Sequence, residues 1–214
     1  MIGLLLLVGL AQAEPLDPSG VWSLTGQDTD GESYDGSVLF QPWGPALDVT
    51  WHTSIGDYQG VALVVDERLY ASWGAGPGFG LAVYTRGQDR LDGRWVLWRD
   101  RSDPGTEWAT PQGRIRRGWY GTWEVDGRAP GADGVRYLAL LTVERVGRTT
   151  VLTWDTGESV YQGVGFRRGD TLVVGWAYDA AGGLVAYTPR GDELRGRWAI
   201  AGDRRRGRER LERR

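Results

Sequence analysis

The tetrapeptide YQGV occurs twice in this chain, at residues 58–61 and again at residues 161–164. The two copies are 103 positions apart, and many other identities share that offset. A repeat at a fixed offset indicates an internal duplication, which has to be recognised before a fold is assigned. Further matched positions are Tyr34 with Tyr137, Trp51 with Trp154, Trp73 with Trp176, Tyr84 with Tyr187 and GRW at 93–95 with GRW at 196–198.

The duplication covers nearly all of the chain after its first residues. The predicted domains are a first copy at residues 19–113 and a second at 120–214, joined by a linker at 114–118. Each copy contains eight short runs of strand-forming residues, separated by turn sequences rich in glycine, aspartate and arginine. In the run LRGRWAI at 194–200, large and small apolar residues alternate with two arginines, which is typical of a strand with one buried face.

The expected fold is therefore all-β. Eight short antiparallel strands in each copy can close into an up-and-down β-barrel, and closure removes the exposed strand edges. We predict two tandem eight-stranded antiparallel barrels, each closed by one copy, with β-sandwiches as the alternative. A barrel of this size is either filled by side chains or holds one small ligand.

The N-terminus has the features of an export signal. An apolar run over residues 2–10 is followed by Ala11-Gln12-Ala13, which matches the small-residue pattern of a signal cleavage site. Residues 1–13 are the predicted signal peptide, and the expected location is the periplasm or the medium. The run is shorter than the roughly 20 residues that a membrane helix needs, so no membrane span is predicted.

The charge distribution differs between the two halves of the chain. All 25 basic residues are arginine, and 19 of them lie in residues 114–214, against 13 acids. That half has a net charge of +6, and residues 14–113 have a net charge of −9. Seven of the arginines lie in the C-terminal tail, where acidic residues interrupt them. This tail could contact anionic polysaccharide, lipid headgroups or nucleic acid, but a solvated turn and last strand is the favoured interpretation, and nucleic acid is not an expected partner of an exported protein.

Tryptophan is unusually frequent, with 12 residues, and four positions recur in both copies. Burial of these rings would stabilise a small disulfide-free domain, so a core role is the first interpretation. The alternative is an aromatic lining for a ligand pocket inside the barrels. The predicted ligand-binding residues, acting by stacking and apolar burial, are Trp51, Tyr58, Trp73, Trp95, Trp154, Tyr161, Trp176 and Trp198.

The sequence carries little catalytic or metal-binding chemistry. It has no cysteine and one histidine, His52, without the motif of a serine hydrolase, so no catalytic residue, no metal site and no cofactor are predicted. The acidic loop with Asp28, Asp30 and Glu32 lacks the remaining ligands of a calcium loop. Asp155 and Glu158 could form an acid–base pair, which leaves a carboxylate-based hydrolase as the least favoured reading.

Each copy begins with G-x-W and ends with GTE or GRE, at residues 20–22, 121–123, 105–107 and 207–209. With W-x6-YQGV and L-x-GRW between, this pattern resembles small exported bacterial β-barrel repeat domains of unknown function, similar to calycins and avidins and sometimes labelled fibronectin-binding. The resemblance implies a barrel and a binding role. The biotin-contacting pattern of avidins is not recognisable, so no biotin residues are carried over.

These observations predict a non-enzymatic exported binding protein. Its expected partner is a small apolar or amphipathic ligand inside the barrels, or a component of the cell envelope. The alternative is a structural or adhesion module with solid barrels that acts through its surface.

Overall fold

The computed structural model describes residues 16–100, 103–178 and 182–214, and the predicted signal peptide at 1–13 lies outside them. The described residues contain no helix that is long and apolar enough to cross a membrane. They form sixteen β-strands: β1 Gly20–Gln27, β2 Ser33–Trp43, β3 Ala46–Thr53, β4 Gly56–Val65, β5 Arg68–Trp73, β6 Phe79–Arg86, β7 Leu91–Leu97, β8 Gly105–Arg116, β9 Tyr120–Arg128, β10 Arg136–Val146, β11 Thr149–Asp155, β12 Val160–Arg168, β13 Thr171–Tyr178, β14 Gly183–Arg190, β15 Glu193–Ile200 and β16 Gly207–Arg213.

These strands close into two eight-stranded antiparallel barrels, which confirms the predicted fold class. Around the first barrel the strand order is β1-β16-β15-β14-β5-β4-β3-β2. Around the second barrel it is β10-β11-β12-β13-β6-β7-β8-β9. Most neighbours in each barrel are joined by short hairpins, as the dense turn residues of the sequence require.

The two barrels do not coincide with the two copies of the sequence. The first barrel takes β1–β5 from the first copy and β14–β16 from the second, and the second barrel takes the remaining strands. The prediction that each copy closes by itself is therefore corrected. In a barrel closed by one copy β5 would pair with β6, but β5 pairs with β14 and β13 pairs with β6.

The duplication itself explains why this exchange is possible. β14 is the repeat counterpart of β6, and both present the sequence G-L followed by small and aromatic residues. Either strand therefore offers β5 the same alternation of buried side chains, and the register is set by that alternation. The segment at 74–78 carries the chain from the first barrel to the second.

The predicted linker is also placed differently by the structure. Residues 114–116 belong to the end of β8, and the following turn leads to β9, which pairs with β8 in the second barrel. The segment at 114–118 is thus part of a hairpin within one barrel. The chain passes between the barrels at the β5–β6 and β13–β14 connections instead.

Three apolar clusters hold the molecule together. Each barrel has its own interior core, and a third cluster lies between the barrels, where outward-facing side chains of the crossing strands meet. The buried members of this third cluster are Val61, Tyr70, Leu81, Val96, Val164, Val173, Leu184 and Ala199. Burying these side chains stabilises the pairing of the barrels in addition to their separate cores.

Candidate functional site

The exchange of strands divides the eight predicted ligand-binding residues into two groups of four, each drawn from both copies. The first barrel holds Trp51, Tyr58 and Trp73 of the first copy with Trp198 of the second. The second barrel holds Trp154, Tyr161, Trp176 and Trp95, in corresponding positions. Three of the four residues predicted for each copy thus lie together in one barrel, but Trp95 and Trp198 are exchanged between the barrels.

The first barrel has a cavity of about 140 Å³ at the end where β3, β5 and β15 finish. The three tryptophans form its wall in a chain of edge-to-face contacts, with ring centroids 6.1 Å apart for Trp51–Trp73 and for Trp73–Trp198. At the rim, 39% of Tyr58 and 55% of Ile55 are exposed. The remaining lining residues are Tyr34, Thr53, Ile200 and Glu209.

Glycines in the neighbouring strands make room for these rings. A Cβ on Gly207 would lie 2.0 Å from Trp198, and one on Gly183 would lie 2.0 Å from Trp73. A Cβ on Gly60, in the YQGV motif, would lie 2.7 Å from Trp51. No side chain fits at such distances, so these positions accept only glycine if the rings keep their places.

A buried carboxylate lies at the inner side of this cavity. Tyr34 Oη donates a hydrogen bond of 2.8 Å to Glu209 Oε2, and Tyr187 Oη donates to Glu209 Oε1. Trp198 Nε1 in turn donates to Tyr34 Oη at 2.9 Å, and the Trp51 side chain hydrogen-bonds Tyr187. Both oxygens of Glu209 are thus occupied, in an environment that excludes most of the solvent.

The second barrel repeats this network with its own residues. Tyr137 Oη donates to Glu107 Oε2 at 2.6 Å, and Tyr84 Oη donates to Glu107 Oε1. Each tyrosine hydroxyl in turn accepts a hydrogen bond of 3.0 Å from an indole. Trp95 Nε1 donates to Tyr137 Oη, and Trp154 Nε1 donates to Tyr84 Oη. A Trp–Tyr–Glu–Tyr–Trp chain therefore runs through each barrel and joins strands of both copies.

Burial shifts the acid–base behaviour of these groups. It raises the pKa of Glu107 to about 7, although the hydrogen bonds that Glu107 accepts oppose the shift. Burial likewise raises the pKa of Glu209. The pKa values of Tyr34, Tyr137 and Tyr187 are also raised, first by burial and then by the nearby carboxylate.

Sequence reasoning missed these carboxylates as interior groups. The sequence pattern identifies the final GTE and GRE as repeated but assigns their glutamates no interior role. Their signal lies in the alternation of β16: Gly207, Glu209 and Leu211 are buried, and Arg208 and Arg210 between them are exposed. A glutamate at an inward position in both copies indicates a buried, hydrogen-bonded carboxylate.

The second barrel differs at its corresponding end. Tyr161 lies against Trp176 with ring centroids 5.9 Å apart, and Tyr178 lies 5.4 Å from Tyr161. In the first barrel Ala75 occupies the position of Tyr178, and Tyr58 makes no ring contact with any of the described residues. In the second barrel Tyr161 and Tyr178 therefore continue the aromatic contacts to the end of the barrel, whereas in the first barrel Tyr58 lies at the rim of the cavity.

The remaining polar candidates have local structural roles. His52 is exposed and its Nδ1 lies 3.2 Å from Asp57 Oδ1 on the next strand. Asp28 Oδ1 accepts the backbone N–H groups of Asp30 and Glu32, and Asp155 Oδ1 accepts that of residue 157, so both acids close turns. Within residues 16–100, 103–178 and 182–214, no three acidic or histidine side chains are grouped as a metal site requires.

Comparisons of the chain with protein-family models, with curated proteins and with solved structures gave no match. The candidate site is therefore interpreted from its own geometry.

Proposed function

We propose that the first barrel is a binding site for a small amphipathic ligand with a ring-sized apolar part. The observation that carries this proposal is the cavity at its end, lined by Trp51, Trp73 and Trp198 with Tyr58 at the rim. Small-molecule sites are typically concave and apolar, with a few polar groups that fix orientation. This cavity has that composition.

The size of the cavity limits the ligand. An engineered cavity of about 150 Å³ in another protein binds benzene or xenon. A volume of about 140 Å³ therefore accommodates one benzene-sized ring or a branched chain of similar bulk. A longer ligand would have to extend past Ile55 and Tyr58 into solvent.

The polar side of the cavity defines the other part of the ligand. Glu209 and Tyr34 line it, and Glu209 already accepts two tyrosine hydrogen bonds. A ligand hydroxyl or amine that reaches this side would replace solvent beside a buried carboxylate, where hydrogen bonds are stronger than in water. The expected ligand thus pairs an apolar ring with one hydrogen-bonding group.

We further propose that the protein acts by binding rather than by turnover, and that it does so after export. In the equivalent networks of Glu209 and Glu107, both oxygens of each carboxyl group already accept tyrosine hydrogen bonds, which ties these groups to structural roles. Export rests on the signal pattern of residues 1–13, and the intact mass of protein recovered from the periplasm or medium should correspond to a chain that begins at Glu14. A mass that retains Met1 would contradict it.

The binding proposal is tested with benzyl alcohol, a ring-sized amphipathic probe. The indole N–H signals of the protein are followed by NMR during a titration, and those of Trp51, Trp73 and Trp198 should shift in a saturable manner. Ile200→Trp should abolish the shifts, because the larger side chain fills the cavity that Ile200 lines. The matched control is Leu97→Trp, which places the same change at the repeat-equivalent position of the second barrel.

Two results would contradict the proposal. In the first, benzyl alcohol leaves the three indole signals unchanged. In the second, it shifts them equally in wild type and in folded Ile200→Trp. Either would favour the alternative, in which the barrels are solid and binding occurs on the outer surface.

A further inference from the structure

A groove of about 1060 Å³ follows the outer face of the first barrel where the second barrel meets it. Nine arginine side chains line this groove. Five lie on β15, on β16 and in the turn between them: Arg195, Arg197, Arg206, Arg208 and Arg210. The other four come from β5, β12 and the end of β14, so both barrels contribute.

The arginines of β15 and β16 face one another across the strand pair. Arg195 is the cross-strand partner of Arg210, and Arg197 is the partner of Arg208. Like charges directly opposite each other on an antiparallel pair destabilise it. Two adjacent Arg–Arg pairs therefore have a cost that the fold alone does not explain.

Only part of this charge is neutralised inside the protein. Glu193 forms ion pairs with Arg195, at 2.6 Å, and with Arg210, and Arg210 also forms an ion pair of 2.7 Å with Glu212. Arg208 donates to the neutral side chain of Gln27 instead of to an acid. Glu209 also borders the groove, but both of its carboxylate oxygens accept hydrogen bonds from tyrosines inside the barrel.

Arg197 and Arg206 both have hydrogen-bonding groups without a partner among the described residues. In the part of the chain that the structure describes, the Arg197 guanidinium has no ion pair and no hydrogen bond. Arg206 lies over the ring of Phe166, with its guanidinium carbon 4.7 Å from the ring centroid. Its Nη2 donates to the backbone carbonyl of Arg148, and its Nε is buried without a partner. Burial and the charges of Arg197 and Arg148 lower the pKa of Arg206.

The repeat shows that the fold does not require these arginines. In the second barrel the strand pairs equivalent to Arg197–Arg208 and Arg195–Arg210 are Arg94–Thr106 and Asp92–Trp108. Pro104 occupies the position of Arg206. The basic side chains are thus concentrated on one of two structurally equivalent surfaces, and the other keeps Arg94 alone of the four paired positions.

We propose that this groove binds a compact multivalent oxyanion, a ligand that carries several phosphate or sulfate groups close together. The planar fork of a guanidinium matches the geometry of such oxygens and binds them in bidentate pairs. A ligand of this kind would relieve the repulsion between the facing arginines and supply acceptors to Arg197 and Arg206. The concave shape of the groove favours a compact anion over a flat charged surface.

Sodium tripolyphosphate is the probe for this proposal, used in calorimetric titrations at constant ionic strength. The wild-type protein should bind tripolyphosphate more tightly than orthophosphate, and the double variant Arg197→Gln/Arg206→Gln should weaken tripolyphosphate binding by about tenfold or more. The matched control is Arg94→Gln, which removes a positive charge at the position equivalent to Arg197 and should leave binding unchanged. Without the probe, Arg197→Gln should raise the melting temperature, because it removes a like-charge pair.

Two outcomes would overturn the proposal. One is the absence of tripolyphosphate binding to wild type, including the case in which only vesicles with anionic phosphate headgroups bind. The other is an equal weakening by Arg94→Gln and by the double variant, which would indicate a diffuse charge effect. Melting temperatures of all variants distinguish loss of binding from loss of folding.

Discussion

At the scale of single residues, Glu107 and Glu209 are the least expected features of the molecule. Each is a carboxylate inside a barrel, held by two tyrosine hydroxyls that are themselves held by two indoles. Such networks are costly when incomplete and rigid when every member has a partner. They fix the rings of Trp198 and Trp51 in the first barrel, and those two rings form part of the cavity wall.

The raised pKa of Glu107 predicts how stability depends on pH. The folded state holds the proton up to a pKa of about 7, whereas the unfolded chain loses it near the ordinary value of 4.5. This difference in pKa adds up to about 3 kcal/mol to the free energy of unfolding. The contribution is fully present below about pH 4.5 and is lost as the pH rises through 7. Urea unfolding at a series of pH values should show this decrease in wild type.

Glu107→Gln should make that dependence shallower, because glutamine does not titrate, while the contribution of Glu209 remains. At acidic pH it should change stability little, because a protonated carboxyl, like an amide, offers the two tyrosines one acceptor oxygen and one donor group. Glu144→Gln, on the exposed face of β10 in the same barrel, is the control and should keep the wild-type slope. A Glu107→Gln protein with the full wild-type pH dependence would show that this carboxyl is not the group responsible.

At the scale of strands, the YQGV motif is explained by packing. Gly60 lies beneath Trp51, and its counterpart Gly163 lies beneath Trp154. Each glycine also closely approaches the backbone of the following strand, at Ser72 and residue 175 respectively. The motif thus permits a tryptophan to lie flat over a neighbouring strand inside each barrel.

Substituting these glycines should weaken both barrels to different degrees. A Cβ on Gly60 would lie 2.2 Å from the Ser72 carbonyl oxygen, whereas the nearest atom to one on Gly163 is a Val174 methyl carbon at 2.7 Å. Gly60→Ala should therefore lower the free energy of unfolding more than Gly163→Ala does. Overpacking of this kind typically lowers it by about 1–3 kcal/mol. Val64→Ala, at an exposed site on the same strand as Gly60, is the comparison. The free energies of unfolding are measured by chemical denaturation. If Gly60→Ala lowers the free energy no more than Val64→Ala does, the packing explanation is refuted.

The strands could be predicted from sequence, but their partners could not. Alternation of buried and exposed positions, as in β15, identifies a strand and its inner face. It does not distinguish β6 from β14 as the partner of β5, because duplication has given both strands the same pattern. The interior position of Glu209 is likewise encoded by alternation, whereas its raised pKa depends on the burial that only the closed barrel provides.

At the scale of the whole molecule, the exchange of strands between the two sequence copies makes each barrel depend on both copies. The cavity of the first barrel needs Trp51 and Trp73 from one copy and Trp198 from the other, and each glutamate network is divided in the same way. The arginine groove also combines both barrels. A duplication that exchanges its last three strands thus produces composite sites that neither copy contains alone.

The exchange is tested most directly by cysteine pairing across the strands that define it, since the chain has no cysteine of its own. Thr85 and Thr171 are cross-strand partners in the β6–β13 pair, at a spacing that a disulfide can bridge. We predict that Thr85→Cys/Thr171→Cys forms an intramolecular disulfide, identified by peptide mapping under non-reducing conditions. In barrels closed by single copies, residue 171 would instead face Thr188, the counterpart of Thr85. A disulfide in Thr171→Cys/Thr188→Cys, with none in the first variant, would contradict the exchanged architecture and the composite sites built on it.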